Sequence, residues 1–343
     1  MTYRTILVGT DGSSTATRAT TAAGRLAKRL GGHLAIVTAF GSNLDEETAT
    51  AVLRDAREAV GVEGVPATTH MLDGPPDEVV TRLASEQDAD LVVVGNVGMG
   101  KAHRFRLGGI AERVAHDAPC DVLIVHTRED RPDAGAYRSM LAGTDGSATA
   151  NEAARKAFEL AEILSAAVTL VHVGDPLLGA ITLEKTAKDR PGMAPVRTEA
   201  FEGGDPAERL IEVAGRGGVD LVVVGNRGIA GARRYLLGSI PSKVAHGSPV
   251  DVLIAKTVGR SVDDLAPGHG GLVNVDGKRL AMYKAEDGSL IALSPRCQHM
   301  GCTVDWNDAD RTWDCPCHGS RYRADGKVFH GPAKKDLDRE EIR

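Results

Sequence analysis

"ADLVVVGNVGMGKAHRFRLGGIAERVAHDAPCDVLIV" fills residues 89–125, and its reading decides the fold. It holds two apolar runs, "LVVVG" at 91–95 and "DVLIV" at 121–125, with a helical pattern from Gly109 to Asp117 between them. Neither run alternates polar with apolar residues. Continuous apolar strands separated by helices predict a parallel sheet covered on both faces. The stretch recurs as "VDLVVVGNRGIAGARRYLLGSIPSKVAHGSPVDVLIA" from Val219, with 21 of 37 positions identical and no gap.

Working outward, "YRTILVGTDGSS" from Tyr3 matches "YRSMLAGTDGSA" from Tyr137 at 8 of 12 positions. Residues 1–128 and 135–257 are thus two copies of one unit, joined by the polar "TREDRPDAGA". In the first copy, strands at "TILVGT" and "LAIVTAF" precede helices over Thr15–Leu30 and Asp45–Val60. A weaker strand near His70 precedes a helix from about Pro76. The predicted fold class is α/β, a doubly wound parallel sheet in two tandem copies. The lone Cys120, at the head of an apolar strand, reads as a small buried hydrophobe.

Ligands of such sheets sit beyond the strand carboxyl ends, where strand order reverses. There "GTDGS" follows strand one and a glycine series follows strand four. In copy two the series is Gly225, Gly228, Gly238 and Ser239, or G-x2-G-x9-G-S; copy one has Gly95, Gly98, Gly108 and then Gly109. Glycines let backbone N–H groups approach an anion, and the helix that follows adds its dipole. Turn-forming glycines are the plainer reading, but the repeat of the spacing favours nucleotide. The pattern resembles the ATP-binding branch of the universal stress protein family over roughly residues 1–257. The resemblance implies that Asp145 contacts the ribose or adenine side, Val173 the adenine, and Gly225, Gly228, Gly238 and Ser239 the phosphates. Asp11, Gly95, Gly98 and Gly108 would be the matching set in copy one, which lacks the hydroxyl at Gly109. No G-x4-G-K-[ST] is present, so binding without rapid hydrolysis is expected. Members commonly dimerise through the last strand, which implies an internal pseudo-dimer of the two copies.

After Lys256 the pattern turns β-like, with "DG" hairpin signals at Asp276–Gly277 and Asp287–Gly288. Four of the chain's five cysteines follow, in "CQHMGC" (297–302) and "CPCHGSRY" (315–322). Cys297 with His299, and Cys315 with His318, offer one thiolate and one imidazole from each of two loops. One tetrahedral zinc, or a [2Fe–2S] pair with both cysteines on one iron and both histidines on the other, fits that set. Cys302 and Cys317 are left over, one per loop, and a plain zinc site does not need them. Residues 262–343 resemble the Rieske family, on these two motifs and "GPA" at 331–333. The resemblance implies a small all-β domain, a [2Fe–2S] cluster held by Cys297, His299, Cys315 and His318, and a disulfide between Cys302 and Cys317. It implies that Ser320 and Tyr322 donate hydrogen bonds to cluster sulfurs and raise the potential toward the upper half of the range from about −150 to +300 mV. The potential should fall at alkaline pH as the imidazoles deprotonate.

The 343 residues carry 42% hydrophobic, 26% charged and 3% aromatic residues and a net charge of −6. That balance argues against nucleic acid as the main partner, and no apolar run reaches membrane-spanning length. "MTYRTILVGTDGSS" has no signal-peptide layout, so a cytoplasmic location is expected. The sequence predicts an electron carrier or redox sensor that binds ATP or another adenine nucleotide, rather than a stand-alone enzyme. Its partner would be a redox protein, for instance a flavoprotein, since the chain holds no dinucleotide fingerprint. The alternative is a stress-type nucleotide binder whose cluster is structural.

Overall fold

The computed structural model describes residues 3–41, 44–61, 64–97, 107–126, 134–226, 238–256, 262, 265–275, 278–307, 310–315 and 317–342. The chain divides into two compact units, Met1–Lys256 and Thr257–Arg343.

In the first unit, copy one runs β1 (Thr5–Gly9), α1 (Ser14–Leu30), β2 (His33–Phe40), α2 (Glu46–Gly61), β3 (Ala67–Asp73), α3 (Pro76–Glu86), β4 (Leu91–Gly95), α4 (Gly109–Asp117) and β5 (Asp121–Val125). Copy two repeats it as β6 (Ser139–Gly143), α5 (Ala148–Leu164), β7 (Ala167–Gly174), α6 (Pro176–Lys188), β8 (Val196–Glu202), α7 (Pro206–Gly215), β9 (Leu221–Gly225), α8 (Ser239–Gly247) and β10 (Asp251–Ala255). Ser13 and Ser147 cap α1 and α5, each accepting from a backbone N–H three residues on. All ten strands form one sheet in the order β3-β2-β1-β4-β5-β10-β9-β6-β7-β8. Pairing is parallel within each copy, and β5 meets β10 antiparallel with Leu123 opposite Leu253. The apolar runs are continuous because both faces are covered: Ile6 and Val8 join α1 in one core, and Leu7 joins α3 and α4 in the other. Cys120 is 1% exposed in that second core.

The antiparallel seam buries charge. Asp121, 2% exposed, accepts from Tyr3 Oη at 2.6 Å, from Lys156 Nζ at 2.7 Å on both oxygens, and from the Lys256 backbone N–H at 2.8 Å. Asp251 repeats the tyrosine and backbone contacts, with Tyr137 Oη at 2.8 Å and the His126 N–H at 2.9 Å. By the alignment of Tyr3 with Tyr137, Ala22 stands where copy two has Lys156, so the lysine serves one side of the seam. Lys256 Nζ, also buried, donates to the His116 and Ala118 carbonyls at the end of α4.

The second unit has a three-stranded sheet, β11 (His269–Val275), β12 (Lys278–Lys284) and β13 (Leu290–Leu293). A four-stranded sheet follows: β14 (Asp305–Asn307), β15 (Thr312–Asp314), β16 (Arg321–Arg323) and β17 (Val328–His330). The turn signal at Asp287–Gly288 joins β12 to β13, with Gly288 at φ +83°. Asp276–Gly277 lies outside the described residues. The two sheets pack through Trp306 against Gly270, where a Cβ would fall 2.5 Å from the indole.

Two outcomes are expected. Lys156→Ala leaves the Asp121 carboxylate buried without its cation and destabilises the first unit by about 3–5 kcal/mol, read by urea unfolding of the full chain. Burial pushes the Lys256 amine down to about 8, against the pull of Cys120, Asp117 and Asp121. The unfolded lysine titrates near 10.4, so between about pH 8 and 10 the unfolded chain binds the extra proton and stability rises with pH. Denaturant midpoints across that window should lose this rise in Lys256→Met.

Candidate metal centre and helix-opening loops

The two cysteine loops of the second unit have the same backbone construction. In the first, the Cys297 N–H donates to the Cys302 carbonyl at 2.8 Å, and Gly301 takes φ +76°. In the second, the Cys315 N–H donates to the Ser320 carbonyl at 2.7 Å, and Gly319 takes φ +73°. Glycine suits both fourth positions after the cysteine because a side chain there is strained at positive φ. The loops face each other and are tied by a disulfide between Cys302 and Cys317, whose Cα atoms are 6.6 Å apart.

This construction puts sulfur inside and imidazole outside. Cys297 and Cys315 are free thiols, each 2% exposed. His299 and His318 are exposed, with ring centroids 4.8 Å apart and planes at 81°. Burial pushes the Cys297 thiol up, but the Tyr322 hydroxyl, the His299 N–H, Cys315 and Ser320 outweigh it and hold it below the usual thiol range. Burial and the neighbouring Cys297 raise Cys315, although the Cys317 and His318 N–H groups point at its sulfur. Tyr322 Oη lies 3.1 Å from Cys297 Sγ and accepts from the Gln298 N–H at 3.1 Å. Burial and that sulfur hold its phenol well above the usual range. Ser320 is fully buried and accepts from the Ala333 N–H at 3.0 Å, which is where "GPA" enters the site. Two buried sulfurs ringed by donors, beside two paired imidazoles, form a donor set that fits a [2Fe–2S] group.

The residues expected to meet nucleotide lie at or beyond the ends of strands of the first unit. β1 pairs with β4 and β6 with β9, so the aspartate loop and glycine loop of each copy leave neighbouring strands. Asp11 and Asp145 are half-buried, and each accepts from a backbone N–H two residues on, that of Ser13 at 3.0 Å and of Ser147 at 2.9 Å. Val173 lies near the end of β7, half-buried. Gly225 and Gly95 have a packing reason of their own. A Cβ on Gly225 would fall 2.7 Å from the Thr149 carbonyl, and one on Gly95 would fall 2.7 Å from the Thr15 methyl. Gly108 and Gly238 cap α4 and α8, and their N–H groups donate to the Asn96 and Asn226 carbonyls. Ser239 and Gly109 are the first helical residues. Gly98 and Gly228 lie outside the described residues.

His172 was not among the residues singled out from sequence. It is buried, and its Nδ1 donates to the Thr144 carbonyl at 2.9 Å, beside Asp145. Copy one places Thr38 there, which donates to the Thr10 carbonyl. A histidine aligned with a threonine in an otherwise similar strand was the available signal.

Comparison with known proteins agrees with this geometry. Residues 2–126 and 136–256 match the universal stress protein family, and residues 256–340 match the Rieske [2Fe–2S] domain. The chain is 34% identical over 154 residues to the cytochrome b6-f complex iron-sulfur subunit of Chlorobaculum thiosulfatiphilum, covering 41% of this chain and 78% of that one. It is 47% identical over 75 residues to YhfW of Bacillus subtilis, named as a Rieske 2Fe-2S iron-sulfur protein, covering 22% of this chain and 15% of that one. A universal stress protein structure from Archaeoglobus fulgidus superposes with a TM-score of 0.59 at 19% identity, over 74% of this chain and 98% of that one, which shows the fold. Among the described residues no helix is long and apolar enough to cross a membrane. The chain belongs to the universal stress protein family, with two such domains in tandem and a C-terminal Rieske [2Fe–2S] domain.

Proposed function

We propose that this chain is an adenine-nucleotide-binding stress protein whose Rieske domain carries a high-potential [2Fe–2S] cluster for electron transfer or redox sensing. The observation that carries the reading is the convergence of Cys297, Cys315, His299 and His318 from two matching loops. When bound, the cluster supplies one-electron transfer. Cys297 and Cys315 would hold it from the buried side, and His299 and His318 from the exposed side, where a redox partner has access. The Cys302–Cys317 disulfide fixes the separation of the loops. Tyr322 and Ser320 aim their hydroxyls at Cys297, and such donors favour the more negative, reduced state. The partner is a redox protein, for example a flavoprotein. On this reading the chain works in the cytoplasm, and its disulfide is an exception to the reduced state usual there.

In the first unit, Asp145, Val173, Gly238 and Ser239 would receive ATP or another adenine nucleotide at the carboxyl end of the sheet. Asp11 and Gly108 would do so in copy one. The β5–β10 pairing supports reading the two copies as an internal pseudo-dimer.

The test is a redox titration of the purified chain with and without ATP, after iron and sulfide analysis. Two irons and two labile sulfides per chain, with a reversible midpoint in the upper half of the Rieske range, are expected. One zinc without sulfide would end the cluster reading, and a midpoint that ATP leaves unmoved would end nucleotide control of it.

Two variants refine this. Tyr322→Phe and Ser320→Ala should each keep the cluster and lower its midpoint by some tens of millivolts, because a differential hydrogen-bond worth of about 1 kcal/mol corresponds to roughly 40 mV for one electron. Unchanged midpoints in film voltammetry would remove their tuning role. Copy two should bind ATP roughly ten- to a hundredfold more tightly than copy one, because Ser239 supplies a donor that Gly109 lacks and a hydrogen bond to a charged group is worth about 1.5–3 kcal/mol. Two equal sites by calorimetry would contradict that ranking.

A further inference from the structure

The second cysteine loop is bracketed by opposite charges. Asp314 ends β15 immediately before Cys315, and Arg321 opens β16 immediately after Ser320. The two residues are direct cross-strand partners. Arg321 Nε donates to Asp314 Oδ1 at 3.0 Å, and Arg321 Nη2 reaches Thr312 Oγ1 at 3.1 Å and also Asp310. Asp314 in turn accepts from Thr312 Oγ1 at 2.7 Å and from Asn307 Nδ2 at 2.8 Å. The Arg321 guanidinium stands 5.6 Å from the centre of the Phe329 ring. These contacts tie β14, β15, β16 and β17 together at the base of the loop.

We propose that Asp314 and Arg321 form a clamp that positions Ser320 and Tyr322, and through them sets the reduction potential of the cluster held by the loops. The inference rests on the cluster reading above. Side chains alternate along a strand, so Arg321 grips the sheet from the face opposite Tyr322. Any rotation of the backbone at 321 moves the serine before it and the tyrosine after it together. Both hydroxyls face Cys297, where Tyr322 Oη stands 3.1 Å from the sulfur. The pair is about a third exposed, 30% for Arg321 and 32% for Asp314. Solvent screens its Coulomb attraction, so its contribution is geometric: the planar fork admits few orientations. Asp314 and Arg321 are therefore positioning residues, whose side chains bond to each other and to Asn307, Asp310 and Thr312.

Charge and geometry make opposite predictions for one variant. Acting through space, Asp314→Asn removes an anion and raises the midpoint, whereas Arg321→Gln lowers it. Acting as a clamp, both variants lower it, because both loosen the hydroxyls. The experiment is film voltammetry of the full chain for Asp314→Asn, Arg321→Gln and the double variant, with iron and sulfide content and the rate of iron release to a chelator. We expect a lower midpoint in both single variants, no further fall in the double variant beyond the larger single effect, and faster iron release in all three. A rise in Asp314→Asn, or midpoints and release rates equal to wild type, would overturn the clamp. Should Arg321→Gln fail to hold iron, Arg321→Lys decides: it keeps the charge and loses the fork, so its midpoint falls under the clamp and stays at the wild-type value otherwise. A wild-type chain without iron and sulfide would instead remove the cluster reading itself.

Discussion

Asp121 is a carboxylate taken out of water, and the first unit is built to meet it. Three kinds of donor close on it: the Tyr3 phenol of its own copy, and the Lys156 amine and Lys256 backbone N–H of the other. A buried charge without partners costs several kcal/mol, so the two copies stay joined because neither satisfies this group alone. The same constraint shapes the second unit. The Cys297 and Cys315 sulfurs are buried, and the donors around Cys297 come from a tyrosine, a serine and the backbone of a tight loop. Both centres follow one rule: a charged or ionisable group can be buried where preformed donors are aimed at it.

That rule separates the residues that build from those that act. Gly225 and Gly95 admit the opening turns of α5 and α1 against the sheet, so a larger residue at either position would strike the fold before it met any ligand. Ser239 is exposed at the start of α8, where on the proposed reading its hydroxyl would meet a phosphate. In the second unit Trp313 and Tyr322 are both fully buried and paired across β15 and β16. Trp313 supplies bulk, whereas Tyr322 spends its hydroxyl on Cys297. The imidazoles of His299 and His318 stay exposed, and it is this face that the proposed redox partner would meet.

Much of this was legible in the sequence because the signals were local and repeated. The runs "LVVVG" and "DVLIV" became central strands paired in parallel with each other, and the helix read over Gly109–Asp117 keeps those bounds. The cysteine and histidine spacing pointed to two facing loops because each loop is a few residues long. Contacts that cross the chain were not legible. Tyr3, Lys156 and Lys256 reach Asp121 across 118, 35 and 135 residues, and nothing in their local patterns marks them. The Asp314–Arg321 clamp lay closer to hand, since opposite charges flanking a tight loop are a cross-strand pair once the hairpin is assumed. Its significance depended on seeing that Tyr322 points at Cys297.

The central claim is that one set of residues holds two irons in unlike surroundings, with Cys297 and Cys315 on the buried side and His299 and His318 on the exposed side. Mössbauer spectroscopy of the chain grown on enriched iron tests it most directly. The account predicts two iron sites in equal amounts with different ligands, of which one alone changes valence on one-electron reduction, and loss of both in His299→Ala. A single kind of iron site, or a chain that takes up zinc and no iron, would contradict it.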